Sequence, residues 1–195
     1  MKKNSLTLSL PEWIDDFLKQ YQLPLVSNEE RMRFVLKLTL QNIEKTTGGP
    51  FGAAGFEKES GQLVSVGVNV VLKQGCSASL AEMMAIMLAK QELGTHDLGI
   101  TELPEFQLVT SGKMCAMCLG SVVWSGVREV LASAQPEDVE NIVGFDEGPA
   151  PADYDQQLEK RGISIIPSFL REEGCAVLQR YVELEGVVYN PSRNS

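Results

Sequence analysis

Two short segments of the sequence carry side chains that could bind a metal ion or transfer a proton. Glu82 lies in SASLAEMMAI, and Cys115 and Cys118 lie in SGKMCAMCLG. At a helix start, two cysteines three positions apart place both sulfurs on one face, and the unpaired backbone N–H groups there favour thiolates. This spacing suits a tetrahedral zinc ion, but Leu80 stands where a third ligand near Glu82 would be expected.

The same positions also have ordinary structural interpretations. Ser79 and Glu82 form the S-x-x-E pattern of a capping box, in which Glu82 would close the start of a helix. Leu80 begins an apolar stripe at helical spacing, and is therefore expected to extend the core into the place of a metal ligand. The other members of this stripe are Met83, Met84, Met87 and Leu88.

The remaining histidine and cysteines offer few substitutes for the missing ligand. The one histidine, His96, follows a predicted helix over residues 80–93, so we expect it at the surface or at a helix end. Cys76 precedes Leu80 by four residues and could become a ligand only in a rearranged loop, while Cys175 is expected to be incidental. A strand leading into Cys-x-x-Cys is also typical of a thioredoxin-like redox site, an alternative that the order of elements disfavours.

Composition restricts the classes of partner. The chain has 195 residues and a net charge of −9, which disfavours general binding to nucleic acid. Its sequence contains no apolar run of transmembrane length, and the N-terminal segment is too acidic for a signal peptide. Four cysteines without an export signal predict a reducing, cytoplasmic location.

The pattern of hydrophobic residues predicts an N-terminal extension over residues 1–26 and one α/β domain over residues 27–195. The domain begins with a helix capped at Ser27 or Asn28, followed by a hairpin that turns at residues 60–61. Strands and helices then alternate, which predicts a three-layer α/β/α sandwich with a mixed sheet of about five strands. Sites in such sheets lie at strand C-termini and helix N-termini, where both chemical segments fall.

These segments resemble the cytidine deaminase superfamily of zinc deaminases, whose signature is H-x-E followed by P-C-x-x-C. The flanking sequences, such as GGPFGAA at residues 48–54 and GFDEGP at residues 144–149, resemble the guanine deaminase branch. The resemblance implies a cytidine deaminase-like fold, a small nucleobase as ligand, and a homodimer. It also implies zinc-dependent hydrolytic deamination of a purine or a related aminated ring.

The resemblance assigns roles to particular residues of this chain. Cys115 and Cys118 correspond to zinc ligands, and Glu82 and Glu147 to catalytic acids. The residues that correspond to substrate contacts are Phe51, Asn69, Ala81, Trp124, Asp146 and Tyr189. Phe51 and Trp124 are also expected as simple core residues, and Asp146 and Glu147 as a solvated loop.

The chain departs from the family pattern at the metal. Leu80 replaces the zinc-binding histidine, and Lys113 and Met114 replace the Glu-Pro pair before the first cysteine. Leucine has no lone pair to donate, so zinc is doubtful and deamination is expected to be impaired or lost. Lys113 could instead balance or ionise the two thiols. The alternatives are a non-catalytic purine- or partner-binding descendant and a Cys-x-x-Cys thiol-redox protein.

Overall fold

A computed structural model describes residues 4–190, so the first three residues of the predicted extension and the last five of the predicted domain lie outside it. The helices are α1 Trp13–Leu18, α2 Asn28–Glu44, α3 Val71–Gln74, α4 Ala81–Glu92, α5 Ala116–Val123, α6 Pro136–Asp138, α7 Tyr154–Glu159 and α8 Arg171–Glu183, with a π-helical turn Val139–Val143 after α6. The strands are β1 Gly52–Glu57, β2 Leu63–Val68, β3 Phe106–Gly112, β4 Glu129–Ala134 and β5 Ser164–Ile166.

The five strands form one mixed sheet in the order β2-β1-β3-β4-β5. The hairpin β1–β2 is antiparallel, β1 also pairs antiparallel with β3, and β3, β4 and β5 run parallel. The central strand β3 is buried along its whole length, as expected for a strand covered by helices on both faces. The predicted fold class is confirmed, and this is not the fold of a thioredoxin.

Two apolar clusters hold the layers together, one on each face of the sheet. On one face, α2 and α8 pack through residues such as Phe34 and Leu178; on the other, α4 and α5 pack through residues such as Ile86 and Val122. Among residues 4–190, every helix is too short or too polar to span a lipid bilayer.

The start of α2 follows the predicted capping chemistry. The Ser27 side chain accepts a hydrogen bond from the Glu30 backbone N–H, and the Glu30 carboxylate accepts one from the Ser27 backbone N–H at 2.9 Å. This reciprocal pair satisfies two of the unpaired donors at the helix start. The capping site therefore lies at the boundary proposed between the extension and the domain.

The N-terminal extension is packed onto the domain rather than separate from it. Within α1, Ile14 and Phe17 are buried in the same cluster as α2, and the Phe17 ring lies 5.4 Å from that of Phe34. Burying each of these side chains contributes roughly 1.5–3 kcal/mol. The Trp13 indole N–H donates to the Thr47 hydroxyl at 3.1 Å, so the extension also has a polar contact with the loop after α2.

Candidate active site

A cavity of about 210 Å³ collects most of the residues predicted to form a site. It lies beyond the C-terminal end of β3, between the starts of α4 and α5. The lining residues are Phe51, Asn69, Val71, Ser77, Leu80, Glu82, Lys113, Cys115, Met117, Cys118, Phe145, Asp146, Glu147, Tyr189 and Asn190. A surface groove along Ser9–Trp13 is larger, at about 640 Å³, but contains none of the predicted site residues.

Glu82 projects into this cavity from the first turn of α4 and is only 5% exposed. The Thr110 hydroxyl on β3 donates to one carboxylate oxygen at 2.7 Å, and the Cys118 thiol donates to the other at 3.3 Å. Burial raises the pKa of Glu82, although both hydrogen bonds oppose the rise. Glu82 is therefore a buried carboxyl group whose surroundings favour its protonated form more than water does.

The predicted capping box at Ser79 and Glu82 is wrong. The Ser79 hydroxyl donates to the Cys76 carbonyl at 2.6 Å, and no side-chain hydrogen bond caps α4. Glu82 turns away from the helix start because Thr110 and Cys118 offer it donors deeper in the cavity. The helix is stabilised instead by burial of residues such as Met84 against the sheet.

The two cysteines lie in direct contact, with Cys115 at the N-cap of α5 and Cys118 in its first turn. A hydrogen bond from the Cys118 thiol lowers the pKa of Cys115 to about 7, while the same contact and burial raise the pKa of Cys118. Because one thiol proton serves only one acceptor, Cys118 can donate either to Cys115 or to Glu82. The pair and Glu82 thus form one coupled group.

The donor atoms at this corner do not fit a zinc site of the family type. Leu80 is partly buried against the core and lines the cavity beside Cys115 and Cys118, but supplies no lone pair. Within residues 4–190, no three His, Cys, Asp or Glu side chains are grouped to hold a metal ion. His96 is exposed beyond the end of α4, as the sequence indicates.

Lys113 lines the cavity, but its charge is directed elsewhere. Its side chain is 12% exposed, and its ammonium group forms an ion pair with Asp155 at 2.7 Å, although the two groups lack hydrogen-bond geometry. The ammonium nitrogen also lies 4.5 Å from the centre of the Tyr154 ring. The pKa of Cys115 is lowered by Cys118 and by backbone N–H groups, with no contribution from Lys113. The hypothesis that Lys113 ionises the thiols is therefore wrong, and its role is to bind α7.

The opposite side of the cavity is aromatic and amide-lined. The Phe145 ring contacts those of Phe51 and Tyr189, with centroids 5.5 and 4.8 Å apart. Asn69 is fully buried, and its Oδ1 accepts from the Val71 backbone N–H at 3.2 Å. The Asn69 Nδ2 and the Tyr189 hydroxyl have no partner of acceptable hydrogen-bond geometry anywhere in residues 4–190. Burial raises the pKa of Tyr189, and the nearby Asn69 side chain opposes this rise.

The acidic pair after Phe145 divides into one buried and one exposed carboxyl group. Glu147 is 8% exposed, and burial, with nearby Cys115 and Glu82, raises its pKa to about 8. Asp146 is exposed at the cavity mouth, where its side chain accepts from the Gly148 backbone N–H at 2.8 Å. The expectation of a solvated loop therefore holds for Asp146 but not for Glu147.

Two residues assigned by resemblance lie outside the cavity. Trp124 is at the end of α5 and is 85% exposed, so it neither lines the cavity nor packs in the core of this chain. The Ala81 side chain is fully buried between α4 and the sheet. The sequence reasoning missed Phe145 and Asn190, which lie next to the predicted residues Asp146 and Tyr189, and it missed α3 because four residues carry no periodic signal.

The chain resembles known deaminases in sequence and in structure. The family model for the cytidine and deoxycytidylate deaminase zinc-binding region matches residues 26–134. A solved guanine deaminase from Nitrosomonas europaea is 42% identical, covers 93% of this chain and 98% of its own, and superposes with a TM-score of 0.86. A solved complex with 2,6-diaminopurine is 44% identical, covers 96% of this chain and 97% of its own, and has a TM-score of 0.86.

A curated relative agrees with these structures. The guanine deaminase of Bacillus subtilis (strain 168) is 28% identical over 147 residues, which cover 75% of this chain and 89% of that protein. The region matched by the family model, residues 26–134, includes both chemical segments. The chain therefore belongs to the cytidine and deoxycytidylate deaminase family, within its guanine deaminase-like branch.

Proposed function

We propose that this protein binds a guanine-like purine base in the cavity and that its zinc-dependent deamination is lost or strongly impaired. The observation that carries the proposal is the contrast between the two sides of the cavity. The side formed by Phe51, Asn69 and Glu147 keeps the groups that a base needs, whereas the corner at Leu80 has lost a metal ligand. Solved relatives with 8-azaguanine or 2,6-diaminopurine support the ligand class.

The base side matches the donors and acceptors of guanine. The buried Asn69 Nδ2 lacks an acceptor within residues 4–190, and a purine carbonyl or ring nitrogen would supply one. The Glu147 carboxylate would accept from the N–H donors of guanine on another edge. The cluster of Phe51, Phe145 and Tyr189 offers ring faces and edges to a planar ligand.

The metal corner supports the second half of the proposal through its donor chemistry. Two thiols leave two positions of a tetrahedral ion without protein ligands, whereas catalytic zinc sites use three. The Glu82 carboxylate is already engaged by Thr110 and Cys118. The thiol-redox alternative remains testable because Cys115 and Cys118 are in direct contact, although the fold is not that of a thioredoxin.

The proposal is tested on the natural protein by three measurements on one preparation. Calorimetric titration with 8-azaguanine, 2,6-diaminopurine and cytosine should show saturable binding of the purines alone. Metal analysis should give zinc below about 0.1 per chain, and incubation with guanine should release no ammonia. Absence of purine binding would refute the base site, while one zinc per chain with ammonia release would refute the loss of activity.

Asn69→Asp separates the donor role of Asn69 from its local role. Aspartate keeps the oxygen that accepts from the Val71 N–H but replaces the Nδ2 donor by a second acceptor. We expect purine affinity to fall at least about tenfold, because one hydrogen bond is lost and two acceptors then face each other. Calorimetry measures the affinity, and the thermal unfolding temperature of the variant must remain near that of the natural protein. An unchanged affinity would contradict the assigned contact.

We also propose that the protein is a homodimer that buries Trp124. Met117 lies in α5 and Trp124 is the C-cap of the same helix, seven residues further on, and both are exposed together with Met87 on α4. Lys90 of α4 donates to the Trp124 carbonyl at 3.4 Å, which joins the two helices at this point. An exposed tryptophan in an apolar patch is typical of a protein interface.

Trp124→Asp should convert the dimer to a monomer. Burying an unpaired carboxylate at the interface would cost several kcal/mol, which would raise the dissociation constant of the dimer to micromolar values or above. Light scattering after size-exclusion chromatography measures the mass of the natural protein and the variant. Val26→Asp, at another exposed apolar residue, is the matched control and should leave the mass unchanged. A monomeric natural protein would refute the proposal.

A further inference from the structure

A fully buried asparagine, Asn42 in the last turns of α2, holds two backbone carbonyls of the cavity wall. Its Nδ2 donates to the Gly49 carbonyl at 2.9 Å and to the Asn69 carbonyl at 3.1 Å. Asn69 is the residue proposed to donate to the base, and its own backbone N–H donates to the Phe51 carbonyl at 3.0 Å. Asn42 therefore contacts the backbone of the loop that carries the base contact.

The N-terminal extension contacts the hydroxyl that donates to Asn42. The Trp13 indole N–H can only donate, so the Thr47 hydroxyl must accept from it at 3.1 Å. The Thr47 proton is then available for Asn42, whose Oδ1 lies 2.7 Å away and whose backbone carbonyl lies farther, at 3.1 Å. With Oδ1 accepting, the Asn42 Nδ2 points toward the two carbonyls. The chain of donors runs in one direction, from α1 to Asn69.

A second contact from the extension reaches the other side of Asn69. The Gln74 side chain in α3 donates to the Ser9 carbonyl at 3.1 Å. At the opposite end of α3, the Val71 backbone N–H donates to the Asn69 Oδ1 at 3.2 Å, which leaves Nδ2 as the group facing the cavity. Residues 9–13 therefore contact both elements that orient Asn69.

The loop between these contacts has little room to adjust. A side chain at Gly48 would overlap the Asn69 carbonyl oxygen, with its Cβ 1.7 Å away, and one at Gly49 would lie 2.8 Å from the Tyr189 hydroxyl. Backbone therefore packs directly on backbone beside Asn69. The Asn42 side chain therefore acts on a backbone segment that has little room to relax.

We propose that the N-terminal segment from Ser9 to Leu18 is a positioning element of the base site, acting through Thr47 and Asn42 on Asn69. This inference rests on the proposed binding of a purine base. Thr47 and Asn42 are positioning residues, since they act on the ligand through Asn69. The segment thus has a role in affinity in addition to the apolar packing of α1.

Trp13→Phe and Thr47→Val test the relay with small changes. Each removes one polar group and keeps most of the packing, so both variants are expected to fold. Asn42→Ala is avoided because it would leave a cavity in the core. Each variant should raise the dissociation constant for 8-azaguanine about threefold to tenfold, as expected for one lost neutral hydrogen bond. Tyr21→Phe, which removes a hydroxyl of the same extension outside the relay, should leave it unchanged.

A double-mutant comparison separates positioning from general destabilisation. In an Asn69→Ala background, Trp13→Phe should cause no further loss of affinity, because the group that it positions is gone. The same loss in both backgrounds, or no loss in the natural background, would overturn the inference. If the natural protein binds no purine, the proposed function fails instead, and the two failures are therefore distinct.

Discussion

Zinc binding is expected to return when Leu80→His is combined with Lys113→Glu and Met114→Pro. The imidazole would join Cys115 and Cys118 as a third protein ligand and leave one position open, as in catalytic zinc sites. Structural zinc sites with four ligands bind with about 10–16 kcal/mol, so one ligand contributes about 3 kcal/mol, or roughly a hundredfold in affinity. Competition with a zinc chelator measures the change.

The two accompanying changes are compatible with their surroundings. The Met114 backbone N–H makes no backbone hydrogen bond to any other described residue, so a proline there loses none. Its carbonyl accepts from the Tyr154 hydroxyl at 3.2 Å and is retained. Lys113→Glu removes the ion pair with Asp155 and places two carboxyl groups near each other, so some loss of stability is expected.

The controls identify the imidazole as the cause. Leu80→Ala with the same two changes opens the corner without adding a ligand, and should bind no more zinc than the natural protein. If the restored site also releases ammonia from guanine, adding Glu82→Gln should abolish the release and keep the zinc. Equal zinc affinity in the histidine and alanine variants would show that position 80 does not control the metal.

The sequence predicted the fold well because the fold depends on patterns that are local. The hairpin, the buried strand β3 and the helix start at Ser27 each follow from periodicity or from side chains a few positions apart. The Cys-x-x-Cys spacing placed both sulfurs at the start of α5 for the same reason. These predictions needed no knowledge of what lies opposite each element.

The errors occurred where a distant partner decides the outcome. The spacing of Ser79 and Glu82 suggests a cap, but Thr110, 28 residues from Glu82, offers a donor inside the cavity. Lys113 turns to Asp155 rather than to the adjacent thiols. The sequence predicts a short amphipathic piece in the extension, but contacts with α2 decide where Ile14 and Phe17 are buried. No local pattern encodes these contacts.

Glu147 is expected to make both stability and purine binding depend on pH in opposite directions. Its pKa in the folded protein is raised to about 8 by burial, well above the value in the unfolded chain. Between about pH 4.5 and 8 the folded state therefore holds more protons than the unfolded state. The contribution of Glu147 to stability is fully present below pH 4.5 and is lost as the pH rises through 8. At about 1.4 kcal/mol per pKa unit, the loss amounts to a few kcal/mol.

Binding follows the other sign because the N–H donors of the base require an acceptor. Below pH 8 the ligand must displace a proton from Glu147, so affinity for 2,6-diaminopurine should rise up to about tenfold per pH unit and level off above pH 8. Titrations in buffers of different ionisation enthalpy should detect one released proton. Glu147→Gln should abolish both dependences and weaken binding above pH 8.

Two exposed glutamates, Glu137 and Glu140, test whether the midpoint of the binding profile belongs to Glu147. The charge of Glu140 contributes to the raised pKa, so Glu140→Gln should move the midpoint of the binding profile to lower pH. Glu137 lies in the same segment but does not contribute, and Glu137→Gln should leave the midpoint unchanged. A profile that persists in Glu147→Gln would instead assign the titration to another group, and the base would then not be held by this carboxylate.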